Sequence, residues 1–380
     1  MTKDGATLSG SYSGVSAEVR EVGFAWGTTS SPSAWNSEDT IASDDDVLGN
    51  RTSGSFQAVL DGLGDGRTYY YRAFLEVLDG SGTKEYFGPV QSFTTKVDAE
   101  KPSPVPRWYE HPAINVKQSG SYLVDSNNSN IYYAYHMTDV TGPGGKEARN
   151  YTVAFSAEDH CPLWVAAPRH SMYVGNQNRT DAYKVDPDIP AGIQYKSKKT
   201  GDGCNKGHML GSAERTASYS TNSQVFFYSN IAPQLSSGFN TGGGGWNILE
   251  DWVDKQVCSD TLYVVIGCYF KEYTDGYGKK ASPKKISFGG RTDVSQPTMF
   301  YYLLLRTKSG NSGKALKNCS ASEIKCAAFV RSHTNDLKGQ QVTSAEMMSV
   351  ADLEAITGFI YFPNVPNLDK TACNPSEWGL

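Results

Sequence analysis

The chain contains no run approaching the roughly 18 consecutive apolar residues of a membrane span. It shows no apolar segment behind Met1, no Cys-x-x-Cys pair, no internal repeat and no low-complexity tract. A transmembrane helix is therefore not expected, nor a zinc ribbon or thioredoxin-like redox motif, nor a solenoid. Positive charge is not in excess either. The 35 Lys and Arg face 40 Asp and Glu, a net charge of −5, which does not speak for nucleic acid. The abrupt polar start in MTKDGATLSG leads us to expect that a targeting segment has been trimmed.

What is present is an ordinary globular balance, with 38% hydrophobic and 12% aromatic residues over 380 positions. That length predicts two or three domains. All seven cysteines lie after residue 160, and an odd number leaves a monomer with at least one free thiol. With abundant Tyr, Gly, Ser and Asn, they point toward an oxidising compartment, and hence to a secreted or cell-envelope location. Scattered buried thiols are the plainer reading. Charge is uneven. Residues 1–97 hold 7 basic and 13 acidic residues, leaving 28 basic and 27 acidic for the remainder. A near-neutral remainder can still carry a local basic groove.

Residues 1–97 read as short alternating or aromatic-rich strands (ATLSGSY, VREVGFAWG, SGSFQAVLDGL, RTYYYRAFLEVL, EYFGPVQSFTT) separated by Gly, Ser and Asp. The spacing predicts an all-β sandwich. LGDGRTYYYRAF and the closing SFTT resemble fibronectin type III-like modules of bacterial envelope proteins. On that resemblance Tyr69 is a corner tyrosine and Trp26 a core tryptophan, and the module spaces or binds an unknown protein or polymer. Residues 98–108, with three prolines, read as an extended linker.

From residue 109 to 380 the strand candidates are NIYYAYHM, NYTVAFS, PLWVAAP, SQVFFYSN, TLYVVIGCYF, TMFYYLLLR and IKCAAFVR. Helices are expected at WNILEDWVDKQV, where Trp246, Leu249 and Val253 share a face, and at SVADLEAITG, with Ser349 as N-cap and Gly358 as stop. Many strands, few helices and no βαβ alternation predict an α+β domain on a mixed or antiparallel sheet.

The chemistry-bearing residues concentrate in two segments. In GDGCNKGHMLGSAER, Gly207 is expected to turn the backbone tightly and bring His208 beside Lys206. Histidine is suited to accept a proton near pH 7, and a cation beside it suits phosphodiester chemistry. In FFYSNIAPQLSSGFNTGGGGWNILEDW, Asn230, Gln234, Asn240 and Glu250 offer oxygen donors of the kind a hard cation takes. A turn-rich Asn and Gly loop followed by a solvated Glu is the plainer reading of the same residues. Arg215 and Arg169 are open between phosphate contact and ordinary surface roles. His111, His136, His160, His170 and His333 show no ligand spacing and read as structural.

Taken in order, Asn205-Lys206-Gly207-His208, then Asn230 with Pro233 and Gln234, then Asn240, then Trp246 and Glu250 resemble the DNA/RNA non-specific endonuclease family, the ββα-metal nucleases. Arg179 in NRTDAYKVDPDIP fits the arginine that the family carries before an Asp-Pro segment. LEAITGFIYFPNVP resembles its closing helix. The resemblance spans about residues 109–370. It implies sequence-non-specific hydrolysis of DNA and RNA, with His208 as general base and Lys206 and Arg179 on the phosphate. Asn240 would hold Mg2+ (or Mn2+ or another divalent cation), and Glu250 would orient metal-bound water. Asn230, Gln234 and Arg215 would contact substrate, and products would carry 5′-phosphates. The family motif begins Asp-Arg, so Asn205 lacks a carboxylate and Lys206 lacks the bidentate fork of arginine. Asp254 stands where some members are basic. These departures leave open a degenerate domain used for binding or adhesion at the envelope; a related phosphodiesterase or phosphatase acting on small molecules is a second alternative.

Overall fold

In the computed structural model the described residues are 6–28, 30–32, 40–43, 49–60, 63, 67–95, 108–142 and 147–380. The expected linker lies outside them except for Trp108. The chain divides into two compact units, Met1–Ser103 and Pro104–Leu380.

In the first unit, β1 (Ala6–Ser13) pairs antiparallel with β4 (Ser53–Leu60). A second sheet runs β3 (Thr40–Ser43), β2 (Glu18–Gly27), β5 (Thr68–Asp79), β6 (Gly82–Phe87), with β7 (Gln91–Thr94) also on β5. Period-two alternation puts Leu8, Phe56, Ala58, Val22 and Phe24 into one apolar core. Tyr69 is buried there, with its ring 5.7 Å from Phe93 and 5.9 Å from Trp26.

The second unit is built on nine antiparallel strands. Their spatial order starts at β22 (Met347–Met348), β21 (Ile324–Ser332), β20 (Met299–Thr307) and β15 (Leu262–Tyr269). It continues through β12 (Cys161–Arg169), β11 (Glu147–Ser156), β10 (Ile131–Thr141), β9 (Tyr122–Asp125) and β8 (Val116–Ser119). Short two-stranded pairs flank it, β16 (Tyr273–Thr274) with β17 (Lys280–Ala281) and β18 (Lys284–Phe288) with β19 (Arg291–Gln296). The central strands read as continuous apolar runs because both faces are covered. In β20, Phe300, Tyr302 and Leu304 enter one core while Met299, Tyr301, Leu303 and Leu305 enter the other. Helix α3 (Val350–Thr357) covers the second face through Val350 and Leu353. The Ser349 side chain caps it by accepting from the Asp352 amide, and Gly358 ends it at φ 78°.

The other face carries the hairpin β13 (Cys204–His208) with β14 (Ile231–Leu235), then helix α2 (Gly245–Asp254). Trp246, Leu249 and Val253 are the buried stripe of α2, as their spacing predicts. Wholly buried Arg331 on β21 ties α2 down, reaching Glu346 at 2.9 Å and the Gly245 carbonyl. The segment SQVFFYSN is not a strand. Helix α1 (Tyr219–Gln224) ends in it and a 3-10 turn covers Tyr228–Asn230. Its apolar run is one turn of chain plugged into the core, which periodicity cannot tell from a short strand.

Candidate active site

The hairpin sorts the candidate residues by face. Asn205 pairs with Gln234, Lys206 with Pro233, Gly207 with Ala232 and His208 with Ile231. Alternation therefore puts Lys206 and His208 on one side of β13, and Asn205 and Gly207 on the other. Gly207 is a strand residue rather than the expected turn. A Cβ there would collide with the Gln234 side chain, so glycine is needed for close approach.

On the first face the His208 ring packs edge-on against Phe226 at 4.8 Å and lies 5.9 Å from the Tyr183 ring. Its Nε2 is buried without a hydrogen-bond partner. Burial pushes its pKa down to about 3, and Arg179 and Lys206 push in the same direction against Asp181. His208 is thus a neutral imidazole flanked by cations. Lys206 lies 4.8 Å from the Tyr183 centroid, and exposed Arg179 donates to the Tyr183 hydroxyl at 3.0 Å.

On the second face three amides form a chain. Asn205 Nδ2 donates to Asn240 Oδ1 at 3.1 Å, and Asn240 Nδ2 donates to Gln234 Oε1. Asn240 ends one turn of π-helix, Ser236–Asn240, of the kind that often re-aims side chains at functional sites. The loop that follows is a glycine run, with Gly242 and Gly243 at positive φ. His333 anchors this corner. Its Nε2 accepts from the Leu235 amide at 2.8 Å, while Nδ1 meets the Pro297 carbonyl at 2.7 Å.

With this arrangement in view, the relatives are informative. The sequence family described as DNA/RNA non-specific endonuclease matches residues 130–368. This chain belongs to that family. It is 28% identical over 236 residues to human "Nuclease EXOG, mitochondrial", an alignment spanning 60% of this chain and 59% of that protein. It is also 28% identical over 225 residues to a Nostoc nuclease, over 58% of this chain and 74% of the relative. Among solved structures, EndoG in its complex with EndoGI covers 70% of this chain and 95% of its own, at 19% identity and TM-score 0.47.

Three of the expected site residues of this endonuclease-family chain turn inward. Asn230 is fully buried and its amide is occupied by backbone, accepting from Leu210 N and donating to the Leu210 and Val225 carbonyls. Arg215 is fully buried too. It donates to Asn150, Glu214 and Pro168 and lies against the Tyr173 ring. Neither has a free polar group for substrate, so their expected contact role becomes a structural one. Gln234, 1% exposed, orients Asn240 instead of meeting solvent.

Glu250 sits in a different electrostatic neighbourhood from His208. Its pKa is raised, first by burial and then by Glu214 and Asp254. Arg169 spans that acidic group, with Nε 3.1 Å from Glu214 and Nη2 2.7 Å from Asp254. Asp254 is thus ion-paired with Arg169 from β12.

A further constellation, which spacing alone could not reveal, joins His136, Asp186 and Asp188, whose ligand atoms all lie within 4.8 Å. Asp186 accepts from His136 Nε2 at 2.9 Å, from the Asp188 amide at 2.9 Å and from Ser229. That carboxylate is already satisfied by protein donors, so the cluster locks the 186–188 turn onto β10. The sequence offers no comparable signal for Tyr183 or His333, since Lys206 and Leu235, which they meet, are remote along the chain.

Proposed function

We propose that this chain hydrolyses phosphodiester bonds in DNA and RNA without reading base sequence, using a divalent cation and His208 as general base. The observation that carries the reading is His208 itself, neutral, with an unpartnered Nε2, beside Lys206 and Arg179 on the outer strand of the hairpin. The donors on the opposite face are amide oxygens of Asn240 and Gln234, with Asn205 beside them. A neutral oxygen donor at the half-exposed Asn240 position fits a hard cation that keeps most of its waters, Mg2+ or Mn2+. Asn240 would hold it, with Asn205 and Gln234 fixing the amide's orientation. When bound, such an ion supplies a positive charge for the negative charge that builds on the phosphate and leaving oxygen.

The chain's own groups do the rest. β13 is the more exposed strand of the hairpin, so a phosphodiester laid across it meets Lys206 and Arg179 on one side and the amides on the other. Burial first, and then Arg179 and Lys206, lower the proton affinity of His208. His208 is thus held neutral and free to take the proton of an attacking water. Cleavage at the 3′ oxygen leaves a 5′-phosphate. Contacts confined to phosphates position a strand without reading it.

The proposal extends to context. The first unit is proposed as a fibronectin type III-like spacer or binding module, and the protein as secreted or envelope-bound. All seven thiols are free and five are buried, so export rests on composition and not on disulfides. A plasmid-nicking and RNA-degradation assay with Mg2+, with and without chelator, tests the function. Cleavage abolished by chelator is expected, with products end-labelled by kinase only after phosphatase treatment. Tight nucleic-acid binding without any cleavage would favour the binding-module reading.

A further inference from the structure

Tyr183 is half-buried, yet its ring is surrounded by cations. Lys206 Nζ lies 4.8 Å and Lys198 Nζ 5.7 Å from its centroid, and Arg179 Nη2 donates to its hydroxyl at 3.0 Å. Arg179 also lies 4.7 Å over Phe226, whose ring meets Tyr183 edge-on at 4.9 Å. The backbone under the ring is tied down. Tyr183 N donates to the Asp181 carbonyl, and its neighbour Lys184 exchanges backbone hydrogen bonds with Phe226 and Tyr228. The Lys206 ammonium has one further contact, a 3.4 Å donation to the Lys198 carbonyl.

These contacts bear on the replacement of arginine by Lys206. A lysine is a point charge on a flexible stem and lacks the fork that fixes a guanidinium's direction. An aromatic face within about 6 Å attracts an ammonium and restricts where it rests. We propose that Tyr183 is the positioning residue of this site, its ring holding Lys206 beside His208 with Lys198 as a second cation on the same phosphate seat. The inference rests on the phosphodiesterase reading above and deepens it. Three cations converging on one ring are not needed merely to fill space between His208 and Phe226.

The test uses the full chain with reductively 13C-methylated lysines, the Lys206 resonance being the one missing from Lys206→Met. An upfield ring-current displacement is expected in the wild type and in Tyr183→Phe, and its loss in Tyr183→Leu. Cleavage kinetics of a labelled duplex are measured on the unmethylated proteins. Tyr183→Leu should lower kcat about tenfold with KM within about twofold, between the scales of an exposed and a desolvated cation–π contact. Tyr183→Phe should recover most of that loss, and Tyr183→Leu should add nothing on top of Lys206→Met. An undisplaced wild-type Lys206 resonance overturns the proposal, even if the leucine variant does not fold. So do losses that multiply in the double variant. A wild type that cleaves nothing refutes the nuclease reading instead, and the resonance then judges Tyr183 alone.

Discussion

The two units handle charge in opposite ways. Among the described residues of the first, Thr95 is the buried polar side chain, and the groups with shifted ionisation are the exposed pair Asp79 and Lys84. The second unit buries Glu110, Arg149, Arg169, Asp186, Arg215, Arg331 and several histidines. A sandwich whose charges stay in water is stabilised by its apolar core and presents no group prepared for proton transfer. Burying charges is costly unless they are paired, and it is also what moves a histidine or carboxylate away from its ordinary behaviour. The contrast agrees with the proposed placing of the chemistry in the second unit.

The sharpest way to break that contrast is His208→Ala. Turnover should fall by roughly two to four orders of magnitude, the usual scale for a general base. Circular dichroism should show a retained fold, and a variant with near-wild-type turnover would remove His208 from its role. Asn240→Ala comes next. The half-saturating Mg2+ concentration should rise about 10- to 100-fold, as when a metal site loses its support, while duplex binding stays within about twofold. An unchanged metal requirement would displace Asn240 as ligand.

Gly207→Ala probes the packing under Gln234. Overpacking should cost about 1–3 kcal/mol in denaturant unfolding, with activity reduced at temperatures where the protein remains folded. A fully stable variant would show that Gln234 can move aside.

Acid should act on the second unit selectively. Burial holds His111 at about 4 and His333 at about 3. Unfolded, each takes up a proton near pH 6.5. The unfolded state therefore binds more protons below that value, and stability, flat above it, declines toward the folded pKa values at about 1.4 kcal/mol per pH unit for each group. His136, its pKa raised above the ordinary value despite burial by its ion pair with Asp186, works in the opposite sense. Denaturant titrations between pH 7.5 and 4.5 should show the loss in the second unit, and none of comparable size in the first. The smallest effect is expected from removing the first unit. A chain of residues 104–380 should cleave at close to the wild-type rate, and a folded but inactive product would show that the first unit helps build the site.

Much of the scaffold was legible locally. The α2 stripe of Trp246, Leu249 and Val253, and the Ser349 and Gly358 boundaries of α3, follow from spacing and capping within a few residues. The apolar runs of β15, β20 and β21 were readable as strands. SQVFFYSN carried the same signal and misled, because a short apolar run looks alike whether it lies in a strand or plugs a core. Gly207 was recognisable as special, but its reason was not, since Gln234 lies 27 positions away.

The sequence by itself determined the order of the motif blocks, the boundaries of the longer helices, and which residue types stand at His208, Lys206, Asn240 and Glu250. Those are properties of neighbours along the chain. Only the tertiary structure decided which polar groups turn inward and which stay within reach of solvent. Asn230 and Arg215 look as chemically able as Asn240 until Leu210 and Asn150 engage them inside the core, whereas Asn240, held by Asn205 and Gln234, stays half-exposed. His208 differs because its Nε2 has no partner and because burial, aided by Arg179 and Lys206, keeps the ring neutral. Those conditions depend on residues brought from distant segments, and the free energy of an ionisable group is set by what surrounds it in space.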